Sequence, residues 1–278
     1  MGPLTGGVEI RDTGTLLSAA EGRCIVVALC SPEDREQVLA AAHEAFDMAR
    51  ADGIDADPVS IRERMADETE WRDIWKQFFR ATRVSPRFTV RPSWDPGAAP
   101  AGEFVIDLDP GRAFGTGAHP STRLVIALTE LVAQTVPTLD RFLDLGCGSG
   151  ILAIAASRLW PTAKGLAVDN DPEATDCSAE NFERNKVTTV RILTGTLDVA
   201  EPGQKLILAN IQADVLCAIA NQMKEKVSSD GTVILSGILT DQVDEVVAAY
   251  TKAGFTLSKR QDEAEWAGLL LRPAHTKA

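Results

Sequence analysis

The sequence is poor in the residues that build metal centres and disulfide frameworks. Its five cysteines (Cys24, Cys30, Cys147, Cys177, Cys217) are odd in number and lack any C-x-x-C spacing, and only three histidines (His43, His119, His275) accompany them. That set excludes a zinc site or a disulfide scaffold as the organising principle, and no metal ligand is assigned. Cations are scarce as well. Lys and Arg number 28 against 40 Asp and Glu, a net charge of -12, whereas affinity for nucleic acid is largely phosphate neutralisation by cations. Direct nucleic-acid binding is not expected. A basic protein or a small molecule suits this charge better, although the same charge also serves solubility alone. No stretch approaches 18 uncharged apolar residues, and the start MGPLTGGVEI has neither a basic n-region nor an apolar h-region. Membrane span and secretory leader are therefore not expected, which leaves a cytoplasmic address.

What is present is a chain of 278 residues, 45% apolar and 24% charged, enough for one large domain or a domain with a smaller companion. Composition shifts between Pro92 and Gly102, where PSWDPGAAPAG concentrates prolines and glycines. The expected organisation is a small α+β domain over 1–92, a linker over 93–103 and an α/β domain over 104–278. In the first part, CIVVAL at 24–29 reads as a buried strand. Ser31-Pro32-Glu33-Asp34 supplies an N-cap, a proline at N1 and first-turn acids for a helix reaching about Arg50. Trp71, Ile74, Trp75, Phe78 and Phe79 recur at helical spacing, a packing stripe, before a second strand at 87–91. Residues before Arg23 carry little pattern.

The second part alternates strand-like runs at 142–145, 165–168, 190–193, 206–209, 233–235 and 269–271 with helices near 149–160, 172–185, 213–227 and 240–253. Helices of that length make crossovers between parallel strands. From Gly254 onward two strands follow with no helix between them, an antiparallel hairpin. The expected fold is α/β, a doubly wound, mostly parallel seven-stranded sheet, whose ligands sit beyond the carboxyl ends of the strands.

The sharpest local pattern is Asp144-Leu145-Gly146-Cys147-Gly148-Ser149-Gly150-Ile151, a strand end running through three alternate glycines into a helix. Glycine at 146, 148 and 150 lets the backbone turn tightly and approach a ligand where a Cβ would collide. The dinucleotide fingerprint G-x-G-x-x-G would place its third glycine at Ile151, so the pyrophosphate-binding form is not matched. The loop instead suits a nucleoside with a compact tail. The next strand ends in Asp169, 23 residues after Gly146, where a carboxylate can accept from both hydroxyls of a ribose. Asp171-Pro172-Glu173 then opens a helix, which makes Asp171 the cap and Asp169 the ligand candidate. Cys147 has no basic neighbour in sequence and reads as space-filling, not nucleophilic.

The glycine loop with Asp169 resembles motifs I and II of class I S-adenosylmethionine-dependent methyltransferases. Asp109-Pro110-Gly111-Arg112-Ala113-Phe114-Gly115-Thr116-Gly117-Ala118-His119-Pro120-Ser121-Thr122, the run GCGSGILAIAA from Gly146, Asn210-Ile211-Gln212-Ala213, Leu235-Ser236-Gly237-Ile238-Leu239 and Glu265-Trp266 resemble, more particularly, the ribosomal protein L11 methyltransferase family. The likeness runs from about Trp71 to Arg272. It implies S-adenosyl-L-methionine as methyl donor, a protein acceptor amine (lysine or N-terminal) with ribosomal protein L11 as the leading substrate, and contacts to the donor from Thr122, Asp144, Gly146, Gly148, Gly150, Asp169 and Asn210. Family members usually carry a longer amino-terminal recognition domain, whereas here 23 weakly patterned residues precede the first strand.

Physical chemistry supplies roles for these positions. Residues 114–122 are too rich in glycine and small hydroxyls for core and lead into an apolar helix, so they are expected to arch over the sheet as a lid. The amide carbonyl of Asn210, after an apolar strand, orients either the reacting amine or the methionine end of the donor; capping the next helix is the structural alternative. A free lysine, with a pKa of about 10.4, must lose its proton to attack. His119 is placed either to take that proton or to hold the lid. Three rivals stand beside this reading: a methyltransferase with another acceptor, a nicotinamide-dependent oxidoreductase, which Ile151 disfavours, and a binding module without activity.

Overall fold

Alternate residues of the central strands bury on opposite sides of one sheet, and this alternation builds the second part of the chain. The computed structural model describes residues 8–11, 25–28, 30, 34–51, 61, 81–92, 94–95, 102–108, 117 and 119–274. The chain divides into two units, Met1–Phe78 and Phe79–Ala278.

In the first unit β1 (Val8–Arg11) pairs antiparallel with β2 (Ile25–Ala28), and α1 (Arg35–Ala51) comes next. Strand β2 lies inside the run expected at 24–29. Strand β1 falls where the sequence has little pattern: four residues, VEIR, are too few to declare a strand until a ladder partner is known. The expected cap at Ser31 and the aromatic stripe from Trp71 to Phe79 lie outside the described residues.

The second unit opens with a three-stranded sheet of β3 (Thr82–Arg83), β4 (Phe88–Arg91) and β5 (Phe104–Asp107), in which β3 and β4 are antiparallel and β4 and β5 parallel. Strand β4 belongs to the larger, second unit, because Phe88, Val90 and Ile106 are buried in one core with Val125, Leu128 and Ile154. The proline- and glycine-rich segment joins two strands of one sheet. A parallel pair cannot be closed by a tight turn and needs a long connection.

The main sheet has seven strands: β6 (Arg141–Leu145), β7 (Lys164–Asp169), β8 (Val190–Thr194), β9 (Gln204–Asn210), β10 (Val227–Leu239), β11 (Phe255–Glu263) and β12 (Trp266–Pro273), in the order β11-β12-β10-β9-β6-β7-β8. The pairs among β6 to β10 are parallel, and β12 runs antiparallel to both β10 and β11, the terminal hairpin that the sequence predicts. The helices are α2 (Pro120–Thr135), α3 (Ile151–Leu159), α4 (Pro172–Arg184), α5 (Ala213–Ala218), α6 (Ala220–Lys226) and α7 (Val243–Lys252). The helix read as one piece over 213–227 is thus two, divided at Ile219.

Phe142, Leu206, Leu208, Ile234 and Leu270 point to the face covered by α2 and α3, while Leu143, Ile207, Val233, Leu235 and Leu269 point to the face holding Leu216, Met223, Val246 and Tyr250. Both faces are dry, which is why the strands read as apolar runs. Each fully buried large side chain contributes roughly 1.5–3 kcal/mol of transfer free energy. The strand order reverses at β6, whose neighbours are β7 and β9, and the carboxyl ends of those three strands are where a sheet of this kind places its ligand.

Candidate active site

Three strand ends and one helix start bring the expected residues together. Strand β6 delivers the glycine loop, in which Gly146, Gly148 and Gly150 all take positive φ, at 69°, 53° and 76°. Side chains disfavour that conformation, and two of the positions exclude one sterically too. A Cβ on Gly146 would lie 2.3 Å from Ile211 Cγ2, and one on Gly150 would lie 2.6 Å from Phe182 Cε1. Gly150 is buried and caps α3, so it shapes the loop.

Strand β7 ends at Asp169. Its Oδ2 accepts from the Gly148 amide at 2.9 Å and its Oδ1 from the Asp171 amide at 3.1 Å. A carboxylate offers about four acceptor positions, so this half-buried group retains capacity for sugar hydroxyls. Asp171 accepts from the Glu173 amide at 2.9 Å and caps α4, as the sequence predicts.

Asp144 sits one step back. Fully buried, it accepts the Ala153 amide of α3 through Oδ2 at 2.9 Å, and its Oδ1 has no hydrogen-bond partner among the described residues. Burial first, and then the Asp169 charge, push its carboxyl up to about 7. Asp144 therefore braces the first turn of α3 from beneath the loop. Burial, followed by the Asp144 charge, likewise pushes the Cys147 thiol up to about 12, which makes it inert.

At the end of β9, Asn210 Nδ2 donates to Thr122 Oγ1 at 3.3 Å, while Asn210 Oδ1 is buried with no partner among the described residues. The capping alternative fails for Asn210, since Gln212 occupies the N-cap position of α5. Thr122 is fully buried in the first turn of α2. His119 caps that helix: its Nδ1 accepts from the Ser121 amide at 3.3 Å and lies 2.7 Å from Ser121 Oγ. Its ring meets Trp266 edge-on at 4.7 Å. These contacts anchor the ring as the start of α2. Of the segment expected as a lid, 114–116 and 118 lie outside the described residues; Gly117 is close to Val90 and Ile151.

Sequence reasoning misses Ser178 and Asn181 on α4. Both are buried and both donate to loop carbonyls, Ser178 to Gly148 at 2.8 Å and Asn181 to Ser149 at 2.9 Å. Their signal in the sequence is a pair of small polar residues one turn apart beside Phe182, on the apolar face of an otherwise acidic helix.

A buried carbonyl lacking a partner among the described residues at Asn210 and a carboxylate with spare acceptor positions at Asp169 suit a nucleoside that brings its own hydroxyls and amine. Residues 13–273 match the family model for ribosomal protein L11 methyltransferase (PrmA). The chain belongs to the ribosomal protein L11 methyltransferase family. A ribosomal protein L11 methyltransferase of Desulforapulum autotrophicum is 39% identical over 80% of this chain and 73% of that protein. The one from Geobacter metallireducens is 37% identical over 88% and 80% respectively. The crystal structure of the ribosomal protein L11 methylase from Lactobacillus delbrueckii subsp. bulgaricus superposes with a TM-score of 0.64 at 30% identity, covering 71% of this chain and all of that one. The protein is accordingly a methyltransferase on a Rossmann-like sheet, and the oxidoreductase alternative is set aside. Among the described residues this methyltransferase has no helix long and apolar enough to cross a membrane.

Proposed function

We propose that this methyltransferase uses S-adenosyl-L-methionine to methylate amino groups of ribosomal protein L11, in the cytoplasm. The observation that carries the reading is the Asn210 amide, committed to Thr122 on its donor side and left with a buried acceptor facing no protein group among the described residues. Such an oxygen, costly to bury alone, needs an N–H from whatever fills the crevice.

The sulfonium of the donor supplies an electrophilic methyl group and leaves as a neutral thioether. Asp169 would hold the ribose hydroxyls, and the loop over Gly146 and Gly148 would lie against the nucleoside. Asn210 Oδ1 accepts an N–H, holding either the donor's amine or a neutral acceptor amine with its lone pair in line. Methyl transfer to a neutral amine would leave an ammonium able to lose its proton to water, which would require no protein base, and His119 caps the helix that carries Thr122. Orientation and water exclusion provide most of the acceleration. A surface of net charge -12 favours encounter with a basic ribosomal protein.

Intact-mass analysis of L11 after incubation with enzyme and donor tests this. Added multiples of one methyl mass on L11, lost with Asp169→Ala, are expected. Methylation of another acceptor with L11 untouched overturns the substrate, and stabilisation of the enzyme by NAD but not by S-adenosylhomocysteine overturns the donor.

A further inference from the structure

The glycine loop is held from behind by α4. Ser178 Oγ donates to the Gly148 carbonyl at 2.8 Å, which commits its only proton, and it also lies 3.3 Å from Cys147 Sγ. The thiol is then the donor in that second contact, and a relay runs from Cys147 S–H through Ser178 O–H to the Gly148 carbonyl. One turn on, Asn181 Nδ2 donates to the Ser149 carbonyl at 2.9 Å, while its Oδ1 accepts from Arg184 at 2.7 Å. Ser178 and Asn181 are 0% and 2% exposed, so no solvent substitutes for either.

These contacts fix whole peptide planes. A trans peptide is rigid, so anchoring one carbonyl orients the amide on its other side. Binding the Gly148 carbonyl sets the Ser149 N–H, and binding the Ser149 carbonyl sets the Gly150 N–H, which closes the loop on the Cys147 carbonyl at 2.7 Å. Glycines at 146, 148 and 150 leave those planes otherwise free to rotate.

We propose that Ser178 and Asn181 are positioning residues for methyl-donor binding, locking consecutive loop carbonyls toward α4 so that the loop meets the donor in a single conformation. Neither is assigned a contact with the donor. The proposal rests on the reading that this loop binds S-adenosylmethionine. Without the lock, ordering of the loop is deferred to the moment of binding and weakens affinity.

The test is isothermal titration of the full chain with S-adenosylhomocysteine, alongside donor KM and kcat, for wild type, Ser178→Ala, Asn181→Leu and Phe255→Leu. Phe255 is buried on the opposite face of the sheet, so its truncation destabilises the fold without touching the loop. Ser178→Ala and Asn181→Leu are expected to raise Kd and donor KM by about tenfold, the size of ordering one backbone residue, with kcat at saturating donor nearly unchanged. Phe255→Leu should lower Tm with native Kd. If one loop variant fails to fold, the other carries the test. Native Kd in a folded loop variant, or an equal loss of affinity in Phe255→Leu, overturns the proposal; a wild-type chain that binds no S-adenosylhomocysteine overturns the donor reading itself.

Discussion

Asn210 and Thr122, 88 positions apart in sequence, meet at 3.3 Å where β9 ends and α2 begins. The contact uses one of the amide's two N–H donors, and the amide carbonyl is buried with no partner among the described residues. Asn210→Ala removes that acceptor and is expected to lower kcat/KM by roughly 10- to 100-fold, the equivalent of one well-placed buried hydrogen bond. Thr122→Val, which frees the amide to rotate, should cost less. Steady-state methyl transfer decides between them, and a native Asn210→Ala rate would remove the residue from the reaction.

Gly146 packs directly against Ile211. Gly146→Ala places a Cβ 2.3 Å from Ile211 Cγ2 at a φ of 69°, so destabilisation of about 1–3 kcal/mol and loss of donor binding are expected. In Gly146→Ala/Ile211→Ala the clash is gone while the backbone strain stays, so stability should recover only in part. Chemical denaturation of the variants measures the two contributions separately.

Asp169 ties the loop to β7 through the Gly148 amide. Asp169→Asn turns one acceptor into a donor facing either the Gly148 or the Asp171 N–H, and titration calorimetry should show donor affinity falling about tenfold or more, in line with losing a charge-assisted bond.

Asp144 has a folded-state pKa raised from 3.8 to about 7. The native state therefore holds a proton that the unfolded state has released between those values. Stability contributed by this group is complete below about pH 4, declines as pH rises, and is lost above about pH 7, by about 4 kcal/mol. Asp144→Asn cannot titrate, so the difference in calorimetric Tm between wild type and variant should change across pH 4 to 7. A difference that stays constant with pH would contradict the buried, protonated state.

Cys147, with its thiol pushed up to about 12, should resist iodoacetamide at pH 8 in the native protein and react on unfolding. Peptide mapping after timed alkylation follows it directly.

The sequence by itself determined the sheet and the backbone of the glycine loop. Apolar runs such as 142–145 and 206–209 are buried on both faces, and glycines at 146, 148 and 150 take the left-handed backbone for which glycine is suited. These features are local, because burial pattern and φ preference are properties of neighbouring residues. Where the signal depends on a partner far along the chain, it is silent or misleading. Four residues at Val8–Arg11 become a strand only against Ile25–Ala28, and Phe88 and Ile106 become neighbours in one sheet and one core only on folding. The packing of His119 against Trp266, Asp144 as a buried brace, and Ser178 and Asn181 as anchors of the loop were likewise decided by tertiary structure. A polar side chain acquires its role from the group that satisfies it, and those groups lie up to tens of residues away, within reach only after the chain has folded.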